Sequence, residues 1–295
     1  MPSHHSRVDA LRWQSRLVVV VTVIPALALT LMHAIVLVRY SSTTLVTASS
    51  IGIGFGLLVW GLRAATPAAA LTGSIFTVAL YFAVPGWHTL LWPLLALFLL
   101  TFVATRFGRG RKEELQIAEE KTGRSASQVA ANLGAAALAS LAAGGARWGN
   151  HFFVFALRGR QISRTCFLVA LVAALSEATA DTLSSELGEV LGGKPVLLTT
   201  LRRVAPGTDG AISAAGTTAG IAGAAAIALL AAAVLPLSWF DGVVALAAGI
   251  AGLFFDSLLG ATLERRGWLN NDAVNFLSTC AAAVCGGIAA LIWVR

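Results

Sequence analysis

Acidic side chains followed by basic side chains mark one stretch of this chain, residues 177–213, where an apolar run ends. The run continues into a predicted helix that carries Glu177, Asp181 and Glu186. A carboxylate at the centre of a membrane helix costs about 2.5–3.5 kcal/mol, so such groups are usually kept for a cation, a proton or a polar substrate. The next loop supplies basic residues, namely Lys194, Arg202 and Arg203. Oxygen ligands for a metal and cations for phosphates, joined by one loop at a membrane surface, indicate chemistry on a phosphorylated lipid.

A glycine-containing turn closes this stretch and leads into the next apolar helix at Ser213. The turn reads Gly207-Thr208-Asp209-Gly210. Such a sequence is typical of a simple turn, but glycines before a helix N-terminus can also hold an anion. The earlier segment GEVLGGK is not a nucleotide-binding P-loop, because Pro195 follows its lysine and no strand precedes it. Its flexible backbone and Lys194 can still meet phosphate oxygens.

Two amide side chains in another apolar helix are candidates to line the same site. Gln128 and Asn132 lie one turn apart, on one face of an alanine-rich helix that follows Arg124. Buried amides need hydrogen-bond partners, and either a neighbouring helix or a substrate could supply them. The preceding segment, 111–121, alternates in charge and predicts only a solvated helix.

The C-terminal part repeats the pattern around Asp181. Asp256 also ends an apolar run, a loop with arginines follows, and polar residues then open the next helix. These polar residues are Asn270, Asn271, Asp272 and Asn275. An acidic residue such as Asp272 can simply stabilise a helix N-terminus, but three membrane-edge acids on one side favour a shared site.

The composition is that of an integral membrane protein. Of the 295 residues, 57% are hydrophobic and 12% are charged, whereas a soluble domain averages about 25% charged residues. The mean hydropathy is +0.79. The net charge of +7 does not indicate nucleic-acid binding, because the basic residues lie in short loops, where they orient helices and meet anionic headgroups.

Apolar windows of membrane-spanning length predict an all-α, polytopic membrane helical bundle with about nine transmembrane helices. The windows are 17–38, 44–62, 66–84, 87–105, 126–144, 165–186, 212–234, 238–258 and 274–294. The candidate residues are all in the second part of the chain. We therefore predict an N-terminal transmembrane scaffold, residues 1–104, and a catalytic transmembrane domain with cytoplasmic loops, residues 105–295.

The charges of the loops predict the orientation. With a cytoplasmic N-terminus, the basic loops 106–125, 187–211 and 259–273 are cytoplasmic too, as positive loops usually are. The loop 145–164 also carries arginines and would lie outside, so it either breaks this tendency or is re-entrant or interfacial. We expect a multi-pass protein of the cell (inner) membrane with its active site on the cytoplasmic side.

Several of these motifs occur together and in the order of a known family. They are Gly123-Arg124 with Gln128-Val129 and Asn132, Ala180-Asp181-Thr182 with Ser185-Glu186 and Gly188, Pro195 with Leu197 and Thr199-Thr200, Pro206-Gly207-Thr208 with Gly210 and Ser213, Asp256-Ser257 with Gly260-Ala261-Thr262, and Asn271-Asp272 with Val274-Asn275. On these motifs, over about 105–280, the chain resembles the transmembrane protein 19-like family, which includes the plant phytyl-phosphate kinase. It departs from the family at Leu183, where tryptophan is usual, and at Asp209 and Ala211, where asparagine and glycine are usual.

The resemblance implies an integral-membrane kinase that makes an isoprenyl diphosphate of the phytyl or geranylgeranyl type from the monophosphate. A nucleoside triphosphate, with CTP expected, is the donor and Mg²⁺ the cofactor. The residues agree with phosphoryl transfer, because an ionised phosphate acceptor needs no general base and catalysis then depends on charge neutralisation and alignment.

We accordingly predict two groups of site residues. The catalytic residues and Mg²⁺ ligands are Asp181, Glu186, Asp256 and Asp272. The residues that bind substrate or nucleotide are Arg124, Gln128, Asn132, Ser185, Lys194, Arg202, Arg203, Gly207, Thr208, Asp209, Gly210, Ser213, Asn271 and Asn275.

Two other functions fit the same residues. A CTP-dependent lipid cytidylyltransferase would use the same acids and substrates but release pyrophosphate. A cation- or proton-coupled secondary transporter would also place acids in broken, repeated membrane helices.

Overall fold

The protein is almost entirely helical in a computed structural model that describes residues 4–114, 123–147, 156–157 and 160–293. The α-helices within those ranges are α1 (His4–Tyr40), α2 (Ser42–Gly61), α3 (Pro67–Ala83), α4 (Leu91–Arg106), α5 (Arg109–Glu114), α6 (Ala126–Arg147), α7 (Arg164–Leu191), α8 (Ala214–Val234), α9 (Trp239–Leu259) and α10 (Asn271–Trp293). Two short antiparallel hairpins pair β1 (Ala156–Leu157) with β2 (Arg160–Gln161), and β3 (Val196–Leu197) with β4 (Ala211–Ile212). A π-helical turn, Gly260–Glu264, extends α9. The predicted all-α bundle is confirmed.

Seven helices in the described ranges are long and apolar enough to cross a membrane. The predicted windows 66–84 and 87–105 contain α3 and α4, which have only 17 and 16 residues. At 1.5 Å per residue each is about 25 Å long, against a hydrocarbon core of about 30 Å. A polytopic membrane protein is therefore confirmed, whereas the count of nine spans stays a prediction.

The short length of α3 has a local cause at both ends. The Thr66 hydroxyl accepts a hydrogen bond from the Ala69 amide at 3.3 Å and caps the helix. Pro67 occupies the first helical position, where the backbone N–H that proline lacks would have no partner within the helix. Pro85 follows the helix and disfavours helical backbone in the residue before it.

Helix α7 forms the centre of the bundle and contacts α4, α6, α8, α9 and α10. Its apolar side chains, such as Leu171 and Leu175, are completely buried. The peripheral helices instead expose large apolar side chains, among them Ile35 and Ile292, as expected of surfaces that face lipid. Polar side chains on α7 therefore depend on partners supplied by the protein itself.

Glycines let α8 and α9 approach α7 closely. A Cβ atom on Gly220 of α8 would lie 2.7 Å from the Ala180 carbonyl oxygen, and one on Gly252 of α9 would lie 2.6 Å from Cγ of Glu177. Small residues at such contacts are typical of helix packing in membranes, where close backbone approach replaces the hydrophobic effect. This packing encloses the acidic part of α7.

Contacts between helix ends place the predicted cytoplasmic loops at one end of the bundle. Near the start of α1, Gln14 Nε2 donates to the Trp268 carbonyl oxygen at 2.8 Å. Arg106, the last residue of α4, donates to the Leu62 carbonyl oxygen beyond α2 at 3.2 Å. At the opposite end, Arg164 opens α7 and donates to the Ala83 carbonyl oxygen at 2.6 Å.

The predicted re-entrant or external loop 145–164 is described only in part. Its arginine at 164 belongs to the end opposite the basic loops, and β1 and β2 form a hairpin just before it. Residues 148–155 and 158–159 lie outside the described residues, as do 115–122 of the predicted charged helix.

Gly123, in the second predicted part of the chain, packs against Ala64 in the first. Its backbone has a φ of +79°, and a Cβ atom there would lie 2.6 Å from the carbonyl carbon of Ala64. The next residue, Arg124, donates its amide to the Ala64 carbonyl oxygen at 2.9 Å and accepts from the Thr66 amide at 3.0 Å. The segment before α6 is thereby fixed against the turn between α2 and α3.

The packing of α8 predicts that Gly220→Ala destabilises the protein, whereas Gly54→Ala does not. The new methyl group at position 220 meets backbone, and overpacking of this kind costs about 1–3 kcal/mol. Position 54 has no atom within 4 Å to meet an added Cβ. Thermal unfolding of the purified variants in detergent should show a lower midpoint for Gly220→Ala alone, and equal midpoints would contradict the close packing.

The arrangement of helix ends predicts which substituted cysteines share a membrane face. The native cysteines are first replaced by alanine: Cys166, Cys280 and Cys285. Impermeant maleimide should then label Gly110→Cys, Thr199→Cys and Arg265→Cys from the cytoplasmic side, and Trp87→Cys, between α3 and α4, from the other side. Labelling of position 199 from the outside would separate the α7–α8 loop from the other basic loops and contradict the predicted orientation.

Candidate active site

A polar cavity of about 250 Å³ lies where α6, α7, α9, α10 and the α7–α8 loop meet. Most of the predicted site residues line it: Arg124, Gln128, Asn132, Asp181, Ser185, Glu186, Gly207, Thr208, Asp209, Gly210, Ser213, Asp256, Asn271 and Asn275. Residues from four helices and one loop, separated by up to about half of the chain, are therefore brought together. We call this space the polar cavity.

Asp181 of α7 and Asp256 of α9 form the acidic centre of the polar cavity. Both line the cavity, their carboxyl groups interact electrostatically, and the Ser278 hydroxyl donates to Asp256 Oδ1 at 3.2 Å. Two carboxylates so close repel each other strongly where water is scarce. The pair is therefore suited to hold a cation or a proton between its oxygens.

Two further acids lie beside this pair, and neither is among the predicted site residues. Glu177, one turn before Asp181, has only 1% of its surface exposed, and neither carboxylate oxygen has a hydrogen-bond partner of good geometry among the described residues. Glu264, in the π-helical turn, lines the cavity and experiences the negative charges of Asp209 and Asp181. Glu264 lies eight residues after Asp256, about two helical turns. This spacing could have indicated from the sequence that the two acids share one face.

Arg124 is the basic residue among the described residues that line the polar cavity. Its Nη2 donates to the Thr182 hydroxyl at 3.4 Å, and its charge attracts the Asp181 carboxylate. The main-chain pairing of Arg124 with the turn between α2 and α3 holds it in place.

Glu186 forms an ion pair with Lys112, a residue that was predicted to face solvent. Lys112 of α5, predicted to belong to a solvated helix, is buried with 2% of its surface exposed. Its ammonium group forms an ion pair with the Glu186 carboxylate and donates to the Ala104 carbonyl oxygen at 3.2 Å. Glu186 therefore lines the polar cavity as half of a buried ion pair. The alternating charges of 111–121 could not reveal this, because the contact joins residues far apart in the chain.

The amide side chains serve both packing and the cavity. Asn275 Nδ2 donates to Asn132 Oδ1 at 3.3 Å between α10 and α6, and both residues are buried. Gln128 Oε1 accepts from the Ser125 amide at 2.7 Å, while the Ser125 hydroxyl accepts from the Gln128 amide at 3.2 Å. This reciprocal pair is a capping box at the start of α6. Asn132 and Asn275 thus connect two helices, and all three amide residues line the polar cavity, whereas contact with a substrate stays a prediction.

The glycine-containing turn lies directly on the π-helical turn. Gly207 and Gly210 have φ of +76° and +70°, which favour glycine. A Cβ atom on Gly210 would lie 2.5 Å from the Ser257 carbonyl oxygen, so no side chain fits between the two turns. The contact brings Asp209 towards Glu264 and makes the turn one wall of the polar cavity. Ser213 caps α8 by accepting from the Gly216 amide at 3.1 Å.

Four predicted residues do not line the polar cavity. Lys194, Arg202 and Arg203 have exposed side chains. Their segment folds on itself, with the Leu197 amide donating to the Arg202 carbonyl oxygen at 2.9 Å, and this turn directs the basic side chains to the surface. Asp272, in the first turn of α10, accepts from the Ser15 hydroxyl of α1 at 2.6 Å.

The acidic centre suits Mg²⁺ bound together with a phosphate. No group of three His, Cys, Asp or Glu side chains in the described ranges has the arrangement of a complete metal site. Mg²⁺ commonly takes one or two carboxylates and completes its shell with water and substrate phosphates. The adjacent Asp181 and Asp256, with the buried carboxylate of Glu177 one turn before Asp181, fit that requirement.

Comparison with known proteins identifies membrane proteins as relatives. The chain is 37% identical over 197 residues to an uncharacterized membrane protein of Methanocaldococcus jannaschii, covering 65% of this chain and 73% of that one. It is 36% identical over 210 residues to an uncharacterized membrane protein of Synechocystis, covering 70% and 75%. It is 27% identical over 235 residues to the chloroplastic protein VTE6 of Arabidopsis thaliana, covering 79% and 66%.

The family predicted from the motifs is confirmed by these comparisons. No solved structure matches the chain. The family match covers residues 50–283, and so extends beyond the motifs into α2 and α3. This chain is an integral, multi-pass membrane protein and belongs to the family described as integral membrane protein DUF92.

Proposed function

We propose that this protein is an integral-membrane kinase that transfers the γ-phosphate of a nucleoside triphosphate, with CTP the expected donor, to an isoprenyl monophosphate. The observation that carries the proposal is the adjacent pair of Asp181 and Asp256 facing Arg124, in a polar cavity of an otherwise apolar bundle. The motifs that resemble the family of the plant phytyl-phosphate kinase, and the similarity to chloroplastic VTE6, support it.

The reaction requires charge neutralisation and alignment more than proton transfer. An oxygen of the prenyl monophosphate attacks the γ-phosphorus, the bond from that phosphorus to the bridging oxygen breaks, and a nucleoside diphosphate leaves. The acceptor is ionised near neutral pH, because the second pKa of a phosphate monoester is about 6. The absence of a required base agrees with a site built from carboxylates, amides and an arginine.

Each part of the polar cavity has a role in this proposal. Asp181 and Asp256 would hold Mg²⁺, which supplies positive charge to the phosphates when bound. Arg124 binds the phosphate that is transferred or attacked, as a guanidinium suits phosphate oxygens. The turn at 207–210 offers its backbone to the donor phosphates, and the Asn132–Asn275 pair forms the opposite wall. The active site would open on the cytoplasmic side of the cell membrane.

The proposal is tested by following labelled phosphate into lipid. Purified protein is incubated with Mg²⁺, geranylgeranyl or phytyl monophosphate, and either γ-labelled or α-labelled CTP, and the lipids are separated by thin-layer chromatography. The γ-label alone should appear in the prenyl diphosphate, with one CDP formed for each lipid. Transfer of the α-label would instead establish cytidylyl transfer. Ion flux in proteoliposomes without turnover of any triphosphate would establish a transporter.

Asp181→Asn should lower turnover by about 10²-fold or more, as removal of a preorganised charge-stabilising group does. The change keeps the shape of the side chain and removes one negative charge from the crowded acidic centre, so the protein should fold. Higher Mg²⁺ should restore part of the rate by mass action. Asp181→Asn/Asp256→Asn should be no slower than the poorer single variant, since groups that act as one unit are not additive.

The matched control is Asp241→Asn, which makes the same chemical change in the first turn of α9, at the end of that helix opposite Asp256. Asp241 belongs to a capping box with Ser238, so its loss costs stability rather than turnover. Full specific activity of purified Asp181→Asn would remove this residue from the mechanism.

The buried ion pair gives Glu186 a different expected behaviour. Lys112→Met leaves the Glu186 carboxylate buried without its partner, and breaking such a pair costs about 3–5 kcal/mol. The double variant Lys112→Met/Glu186→Gln removes both charges and should recover most of the lost thermal stability. If Glu186 acts through the ion pair, the Mg²⁺ concentration for half-maximal rate in the double variant stays unchanged. A large increase in that concentration would make Glu186 a metal ligand.

A further inference from the structure

A second cavity, walled by α2, α3, α4 and α6, lies beside the polar cavity, is partly open and has a volume of about 130 Å³. Much of its wall is apolar and comes from Phe55, Val59, Leu94, Leu97, Phe98 and Phe102. Its basic lining residues are Arg63, Arg106, Arg109, Lys112 and Arg124. None of the described residues that line it is acidic. We call this space the basic-mouthed cavity.

The two cavities share a wall. Arg124 and Asn132 line both of them. Lys112 lines the basic-mouthed cavity and pairs with Glu186, which lines the polar cavity. An anion held by the basic residues of the one cavity would therefore lie next to the carboxylates of the other.

We propose that the basic-mouthed cavity binds the isoprenyl monophosphate acceptor, an inference that rests on the proposed function. The phosphate lies between Arg63 and Arg106, beside Arg124, and the adjoining hydrocarbon lies between Phe55 and Phe98, whereas Arg109 is already paired with Glu113 at 3.1 Å. A cavity with cations at one end and aromatic and aliphatic walls matches a single apolar chain that ends in a phosphate.

The size of the cavity limits how much of the lipid it encloses. An engineered apolar cavity of about 150 Å³ binds benzene, a molecule of six carbons. The volume of about 130 Å³ therefore suits about one five-carbon isoprene unit. The remainder of the chain lies outside the cavity, among the membrane lipids. The site recognises the phosphate and the first isoprene unit, and it accepts isoprenyl chains of different length.

The basic end shows three features of a prepared phosphate site. The Arg106 guanidinium is held over the Phe102 ring, 3.6 Å from its centre. Arg63 has a φ of +53° because it ends α2 in a Schellman motif, in which the Arg63 amide donates to the Trp60 carbonyl oxygen and the Ala64 amide to that of Val59, both at 2.9 Å, so its backbone is fixed at the cavity. Thr105 also lines the cavity, and its buried hydroxyl has no hydrogen-bond partner among the described residues.

Binding is tested without nucleotide, by protection of a cysteine from maleimide. Phe98→Cys is placed in the protein that lacks native cysteines, with Phe102→Cys as a second position in the same wall. Geranylgeranyl monophosphate at about ten times its Kd should slow labelling about tenfold, because the free fraction falls in that proportion. The control is Val103→Cys, also on α4 but with 63% of its surface exposed, where the rate should not change.

The other probes decide what the site recognises. Geranyl monophosphate should protect as well, since only the first isoprene unit is enclosed. Geranylgeraniol and inorganic phosphate should protect weakly, because each lacks one half of the ligand. Equal protection by dioleoyl phosphatidic acid would make this a general lipid-phosphate site and overturn the isoprenyl assignment. Protection of Val103→Cys to the same extent would overturn specific binding.

Arginine variants test the phosphate half of the site. Arg63→Gln/Arg106→Gln should weaken protection at position 98 at least tenfold and raise the KM for prenyl monophosphate, with the KM for CTP unchanged. Arg39→Gln, an exposed arginine at the end of α1, should alter neither. Unchanged protection in the double variant would overturn the proposal.

The two proposals fail in different ways. If prenyl monophosphate is turned over but protects neither position 98 nor position 102, the acceptor binds elsewhere and only the second proposal is wrong. If it protects both positions but no triphosphate phosphorylates it, the lipid site stands and the kinase assignment is wrong.

Discussion

The structure depends on the burial of carboxylates in its central helix. Glu177, Asp181 and Glu186 all lie on α7, which is enclosed by five other helices. A membrane offers these groups no water, so the surrounding protein must supply every partner. Glycines on α8 and α9 allow the close approach that seals this part of α7 from lipid. The site is therefore a consequence of the packing around one helix.

The partners divide the acids into two kinds. Glu186 is neutralised by Lys112, a buried cation from a short helix between two membrane segments. Asp181 and Asp256 have mostly each other, the Ser278 hydroxyl and the nearby charge of Arg124. The first arrangement is complete without a ligand, whereas the second accumulates negative charge that a divalent cation would balance. This contrast is the physical basis for assigning the metal to the aspartates.

The N-terminal helices contribute to the site as well as to the bundle. Ser15 of α1 donates to Asp272, and the turn between α2 and α3 pairs with Arg124 through its main chain. The basic-mouthed cavity also lies largely between α2 and α4. The division into 1–104 and 105–295 stays a prediction, but hydrogen bonds across that boundary hold Arg124 of the polar cavity and the start of α10.

The sequence by itself determined the class of protein and most of the polar cavity. Hydropathy identified a polytopic helical bundle, acids at the ends of apolar runs singled out Asp181 and Asp256, and helical spacing singled out Asn132, because these signals are local to a segment. The tertiary structure alone decided which side chains meet. The α7–α8 loop folds on itself and directs Arg202 to the surface, while α5 packs inward and buries Lys112. Such contacts depend on the rotation of each helix and the path of each loop, which local periodicity does not encode.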